Sequence, residues 1–252
     1  RKESSAASDV YKRQRLLRTV ELNGLVLKLD ADDGGDGGAP VGVGDGDEPR
    51  MAYEKRDGRA RLPGRNDELN LSERVCAPVD ALHCVLVREL IYERRIRPRV
   101  VRLDGQPIGD KGTALLAHSL GELQGLSTLS MAAVKLSGVG ARALAEPHAL
   151  PAMASLTSLC LSGNDLSSGA AHVLRALAPL RALRALDLVQ CGIDHDHSRD
   201  FAALPATLTS LALSANPLGA RGADYLARRL VELPALAAVS YTHLTLPTTP
   251  YV

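Results

Sequence analysis

Leu156-Thr157-Ser158-Leu159-Cys160-Leu161-Ser162-Gly163-Asn164-Asp165-Leu166 is matched in form by Leu208-Thr209-Ser210-Leu211-Ala212-Leu213-Ser214-Ala215-Asn216-Pro217-Leu218. Both stretches put a leucine at places one, four, six and eleven and an asparagine at place nine. Looser copies are Pro98, Val101, Leu103, Gln106, Ile108; then Leu126, Leu129, Met131, Val134, Leu136; then Leu183, Leu186, Leu188, Cys191, Ile193. Leu236, Val239 and Tyr241 begin a sixth. First places at 98, 126, 156, 183, 208 and 236 give steps of 28, 30, 27, 25 and 28 residues. A recurring unit of this length marks a solenoid, in which no coil buries its apolar face without a neighbour.

Each copy has two halves with different periods. Places four and six alternate inward, as a half-buried strand does. The connections between strands are too long for hairpins, so neighbouring strands are expected to be parallel. The return is expected to be helical: a leucine follows four residues after Gly112, Gly140, Ala170 and Gly222, with Leu120 and Leu230 continuing the stripe toward the sheet. Place nine should tie the turn. Asn164 and Asn216 can bond backbone that has left the sheet, Gln106 and Cys191 can substitute, and Val134 cannot. The second copy is therefore expected to have a looser turn.

Repeats near 28 residues with a glycine before a full helix resemble the ribonuclease-inhibitor-type leucine-rich repeats. The resemblance spans 98–239. It implies an α/β fold, a right-handed leucine-rich-repeat solenoid bent into a horseshoe arc with a parallel concave sheet and outer helices, preceded by a flexible N-terminal region. Members of that class serve as inhibitors, innate-immune sensors and GTPase activators, so a shared scaffold does not carry a shared activity. The expectation is a non-catalytic protein–protein interaction module. The alternatives are a GTPase-activating protein of the nuclear-transport leucine-rich-repeat type, or the sensor region of a larger nucleotide-binding leucine-rich-repeat receptor.

On such a sheet the outward strand places would meet a partner protein of unknown identity. They include Arg102, Asp104, Ser130, Thr157, Ser162, Arg184, Asp187 and Ser214. Interface anchors favour Trp, Tyr and Arg. Here only two arginines and no aromatic residue appear, so modest affinity is expected.

Ahead of the repeats, 67–97 carries Val79, Leu82, Val85, Leu86 and Leu90 at helical spacing and is read as a helical N-terminal cap. The segment 15–66 is read as mostly disordered, with an Asp/Gly-rich linker over 31–48 and a strand-like alternation over 16–29 that fits a degenerate repeat or a hairpin. The strings 1–14 and 240–252 resemble the translation of sequencing-adaptor DNA and are set aside from fold reasoning. With the sixth copy broken off inside its strand, the chain reads as a fragment.

Other chemistry is not supported by spacing. An EF-hand loop from Asp30 would need ligands where Gly34 and Val41 stand. Asp194-His195-Asp196-His197 offers two histidines with no second ligand pair, so no metal is expected. No phosphate-cradling loop or nucleophile elbow occurs, and Gly105 and Gly109 near Lys111 fit the first turn instead. Neither an enzyme nor a cofactor is expected. Formal net charge is +1, and across 98–239 twelve Lys/Arg face eleven Asp/Glu, which gives no bulk attraction to nucleic acid. Arg94, Arg95, Arg97, Arg99 and Arg102 form a basic cluster, with Arg50, Lys55, Arg56, Arg59, Arg61 and Arg65 before it. Without interleaved aromatics it reads as a solvated rim rather than an RNA site. No apolar run is long enough to span a bilayer. Cys76, Cys84, Cys160 and Cys191 lack a framework spacing and read as reduced thiols of a cytoplasmic protein.

Overall fold

The computed structural model describes residues 68–72, 78–92 and 96–241, with the backbone of 19–22, 25–28 and 60–61. The adaptor-like string at 1–14, all of the one at 240–252 except Ser240 and Tyr241, the linker over 31–48 and Cys76 lie outside the described residues. The chain divides into two units, Arg1–Asn66 and Asp67–Val252. In the first, β1 (Thr19–Leu22) and β2 (Leu25–Lys28) pair antiparallel, Leu22 opposite Leu25, and β3 (Ala60–Arg61) runs parallel to β2. Over 19–28 the described part of the alternation is thus a hairpin, and apart from β3 the rest of the segment read as mostly disordered lies outside the described residues.

The second unit is a seven-stranded parallel sheet in sequential order: β4 (Glu68–Asn70), β5 (Val100–Arg102), β6 (Thr128–Ser130), β7 (Ser158–Cys160), β8 (Ala185–Asp187), β9 (Ser210–Ala212) and β10 (Ala238–Ser240). Register has no stagger. Leu69, Val101, Leu129, Leu159, Leu186, Leu211 and Val239 lie side by side across it. The first six are 3% exposed or less, while Val239 on β10 is 40% exposed. Place six forms a second stack, with Leu71, Leu103, Met131, Leu161, Leu188 and Leu213 all at most 1% exposed. Each such side chain contributes roughly 1.5–3 kcal/mol on burial, and none could be buried by its own three-residue strand.

The returns are α1 (Ala81–Tyr92), α2 (Gly109–Gly121), α3 (Gly138–Leu144), α4 (Ala170–Ala176) and α5 (Gly219–Val231). Leu116, Leu120, Leu144, Leu174 and Leu226 are buried, whereas Leu230 is only half-buried. Gly140 permits a close approach of neighbouring coils: a β-carbon there would fall 2.4 Å from Leu136 Cδ1 and 2.6 Å from Asp110 Oδ1. The coil that starts at Leu183 differs. Its return is a 3-10 helix, His195–Ala203, in the shortest of the repeats. A 3-10 helix rises ~2.0 Å per residue against ~1.5 Å for an α-helix, so nine residues cover the reach of about twelve. Phe201, the chain's one phenylalanine, is 1% exposed there and fills the space beneath.

Segment 67–97 contains more than a helix. Its first residues form β4, which pairs with β5, while α1 packs on α2, so it has the strand-and-helix form of a further coil. Leu69 and Leu71 occupy places four and six of that coil.

Except at Val134, place nine ties a coil to the one before it. Asn164 Oδ1 accepts from the N–H of Val134 (3.0 Å) and Leu136 (3.1 Å), and its Nδ2 donates to the carbonyls of Met131 (2.8 Å) and Leu161 (2.7 Å). Asn216 repeats this with Cys191 N–H (2.9 Å), Ile193 N–H (3.0 Å) and the carbonyls of Leu188 (2.7 Å) and Leu213 (2.9 Å). Gln106 spans Val79 N–H and Leu71 carbonyl, both at 2.6 Å, and Cys191 Sγ reaches Leu161 carbonyl at 3.3 Å.

The looser turn expected at Val134 is not seen. Val134 is fully buried and its N–H is held by Asn164. Because the amide reaches backward, the valine withdraws support from the first copy instead. There Gln106 N–H bonds Leu103 carbonyl (3.2 Å) and Ile108 N–H bonds Gln106 carbonyl (2.8 Å), within their own turn.

An orphaned buried donor or acceptor costs ~1–3 kcal/mol. Asn164→Ala is therefore expected to lower unfolding free energy by roughly 2–5 kcal/mol in urea titration. Asp165→Ala, next door and exposed, should change it by less than about 1 kcal/mol. Equal small losses at both positions would contradict the assignment.

Candidate protein-binding face

One face of the sheet is sealed by the stacked leucines, and the alternate strand residues populate the other, open face. Arg102 and Arg184 are exposed there. Arg102 Nε pairs with Glu68 Oε1 at 3.3 Å, a link between β5 and β4. Asp104, Thr157, Ser162 and Asp187 are half-buried, and Ser130 and Ser214 are buried.

Most of these polar groups bond to a neighbouring coil. Asp104 Oδ1 accepts from Ser130 Oγ (2.6 Å) and from Ala132 N–H (2.8 Å). Asp187 accepts from Ser162 Oγ in a short bond and from Val189 N–H at 3.2 Å, and Val189 N–H also reaches Ser162 Oγ at 3.0 Å. Thr157 Oγ1 donates to Ser127 carbonyl (2.9 Å), as Ser127 does to Arg99 (3.0 Å) and Thr209 to Arg184 (3.1 Å). Ser214 Oγ lies 3.2 Å from Ser240 Oγ. By alternation Arg102, Asp104, Ser130, Ser162, Asp187 and Ser214 fall opposite the stacked leucines, and Thr157 and Arg184 stand just before β7 and β8. Of them, the two arginines present their side chains most freely.

A further determinant was not read from the sequence. Place eight is left-handed in every complete copy: Gly105 (φ 74°), Ala133 (52°), Gly163 (71°), Gln190 (55°) and Ala215 (59°). Glycine meets that demand without strain, and the three other residues adopt a backbone that costs an L-residue ~1–2 kcal/mol. Glycine at place eight of two copies was the available signal.

Elsewhere, Asp194 caps the 3-10 helix. Its Oδ1 accepts from Asp196 N–H (2.9 Å) and lies 2.8 Å from His197 Nδ1, which in turn accepts from Asp194 N–H (3.3 Å). That engages His197 in its own turn, and among the described residues no three metal-ligating side chains gather. Cys84, Cys160 and Cys191 are free thiols. Burial pushes Cys84 and Cys191 up to about 12 and raises Cys160 as well, so all three are poor thiolate nucleophiles. No helix among the described residues is long and apolar enough to cross a membrane.

On the helical side, Asp110 of α2 caps α3 across the coil boundary. Its carboxylate accepts from Ser137 N–H (2.8 Å), Ser137 Oγ (2.6 Å) and Gly140 N–H (3.0 Å). Burial alone would raise its pKa. The bonds from Ser137 and Gly140, helped by Arg142, outweigh that and hold the carboxyl below its usual range.

Residues 205–227 match the leucine-rich-repeat family model. One similar solved structure is an internalin (inlF) from Listeria monocytogenes str. 4b F2365: 16% identity, covering 62% of this chain and 71% of that one, TM-score 0.22. At that identity and score the likeness bears on neither partner nor activity. The parallel sheet of stacked coils is an α/β solenoid, and the coil at 205–227 is the one that matches the leucine-rich repeat.

A carboxyl whose folded pKa is depressed stabilises above its unfolded value, near ~3.9, and loses that contribution as pH falls through the folded value. Asp110→Ala should lower stability by roughly 0.5–2 kcal/mol at pH 7, the usual loss for a helix cap. The gap from wild type should close below about pH 4. Thermal melts of both proteins across pH 2.5–7 (chosen to bracket ~3.9) check this, and a pH-independent gap would contradict it.

Proposed function

We propose that the repeats form a non-catalytic module that binds another protein on the concave face of the sheet. The observation that carries this reading is the pair of exposed arginines on an otherwise small-residue, internally hydrogen-bonded face. Arg102 sits on β5 and Arg184 just before β8, so charge is offered at two separated points. Between them Ser130, Thr157, Cys160 and Ser162 are small enough to let a partner's backbone approach. Asp104 and Asp187 add negative charge beside the arginines for complementarity and register.

The finer assignment is to the ribonuclease-inhibitor type, acting in the cytoplasm. Repeat steps of 25 to 30 residues and α-helical returns in most coils support the type. The free thiols of Cys84, Cys160 and Cys191 support a reducing compartment.

Affinity capture with the full chain, read by mass spectrometry, tests the face. Arg184→Glu should deplete captured partners by about tenfold while leaving the thermal midpoint within a few degrees of wild type. An unchanged set of partners would exclude this face as the contact.

A further inference from the structure

We infer that a groove at the end of the first two helices is a second docking site, and that it takes an extended acidic segment of a partner protein. The groove encloses about 1000 Å³ where α1 and α2 end and the chain enters β5, and is lined by Ile91, Tyr92, Arg97, Arg99, Glu122 and Leu123 among others. None of the eight open-face candidates lines it, although Arg99 stands at place two of its coil as Thr157 and Arg184 do of theirs.

Its floor is apolar. Ile91 is 4% exposed and Leu123 7%. Its rim carries Tyr92, 68% exposed, in a chain that is only 3% aromatic. Arg97 and Arg99 are also exposed, and neither has a carboxylate within 4.0 Å among the described residues. Five other arginines of the unit are paired: Arg88 with Glu89, Arg102 with Glu68, Arg175 with Asp200, Arg228 with Asp224 and Arg229 with Glu232. Arg142, Arg181, Arg184, Arg199 and Arg221, like Arg97 and Arg99, have no described carboxylate within 4.0 Å, and of these only Arg97 and Arg99 line the groove. Glu122, the one acid among the described lining residues, lies 3.4 Å from His118 Nε2.

Two guanidinium groups with no carboxylate partner among the described residues, an exposed tyrosine and an apolar floor therefore meet in one concavity. A guanidinium fork suits carboxylates, and Tyr with Arg is the usual make-up of an interface anchor. A leucine-sized side chain of the bound segment would rest on Ile91 and Leu123 while its carboxylates reach Arg97 and Arg99. Single-stranded nucleic acid fits less well, because one tyrosine gives no platform for successive bases.

The site does not depend on the concave-face reading, and the test keeps the two apart. The probe is a fluorescein-labelled decapeptide of alternating glutamate and leucine, titrated with the full chain and followed by anisotropy. Saturable binding that weakens with salt is expected, and the double variant Arg97→Glu/Arg99→Glu should reduce affinity at least about tenfold. Tyr92→Ala should reduce it severalfold, and Arg184→Glu should leave it unchanged. If charge reversal lowers the thermal midpoint, Arg97→Gln/Arg99→Gln replaces it with the same expectation. Equal binding of a lysine–leucine decapeptide, indifference to the arginine variants, equal loss with Arg184→Glu, or tighter binding of a uridine decamer would each overturn the inference.

Discussion

A backbone that leaves a sheet after three residues must still satisfy its N–H and carbonyl groups, and the side-chain amide at place nine does this for the coil before it. Asn164 and Asn216, 2% and 3% exposed, each hold two amide hydrogens and two principal carbonyls in a dry interior. The left-handed residue at place eight turns the chain into position for that contact. The hydroxyl bonds of Ser127, Thr157 and Thr209 link the coils where the strands start, and Asp110 links two of them on the helical side. Every one of these ties joins nearby coils, so stability is expected to sum over units and their interfaces, as in other solenoids.

The same economy shapes the surface offered to partners. Ser130, Ser162, Asp104 and Asp187 are hydrogen-bonded within the sheet, which fixes their rotamers before anything binds. A pre-ordered surface loses less conformational entropy on association, but it also has fewer free polar groups to form new bonds. On the proposed reading, binding energy falls to the exposed cations, Arg102 and Arg184 on the face and Arg97 and Arg99 at the groove. Partners that bring carboxylates to both places would gain from two attachments at once.

The spine was legible because its period is set by geometry: a parallel strand buries every second residue, and one coil must reach the next. Leucine at places four and six therefore announces the sheet. Three features were harder to read. β4 is short, and its Leu69-x-Leu71 signal is followed by Arg74 where a turn-bonding side chain should stand, so only its helix showed. The backward reach of the amide depends on which coil the side chain crosses, and spacing along one copy does not contain that. Alternation separates the strand residues opposite the leucines from those beneath them, yet which hydroxyls are already bonded depends on residues about 25 to 30 positions away.

The most direct test of the place-nine account is amide hydrogen exchange, resolved by residue, in the native protein. Val134, Leu136, Cys191 and Ile193 lie in turns, yet their amides should exchange as slowly as those of strands β6 to β9, and Asn216→Ala should release Cys191 and Ile193 while sparing Val134 and Leu136. Exchange of all four at the rate of exposed turn residues, or no selective release in the variant, would contradict it.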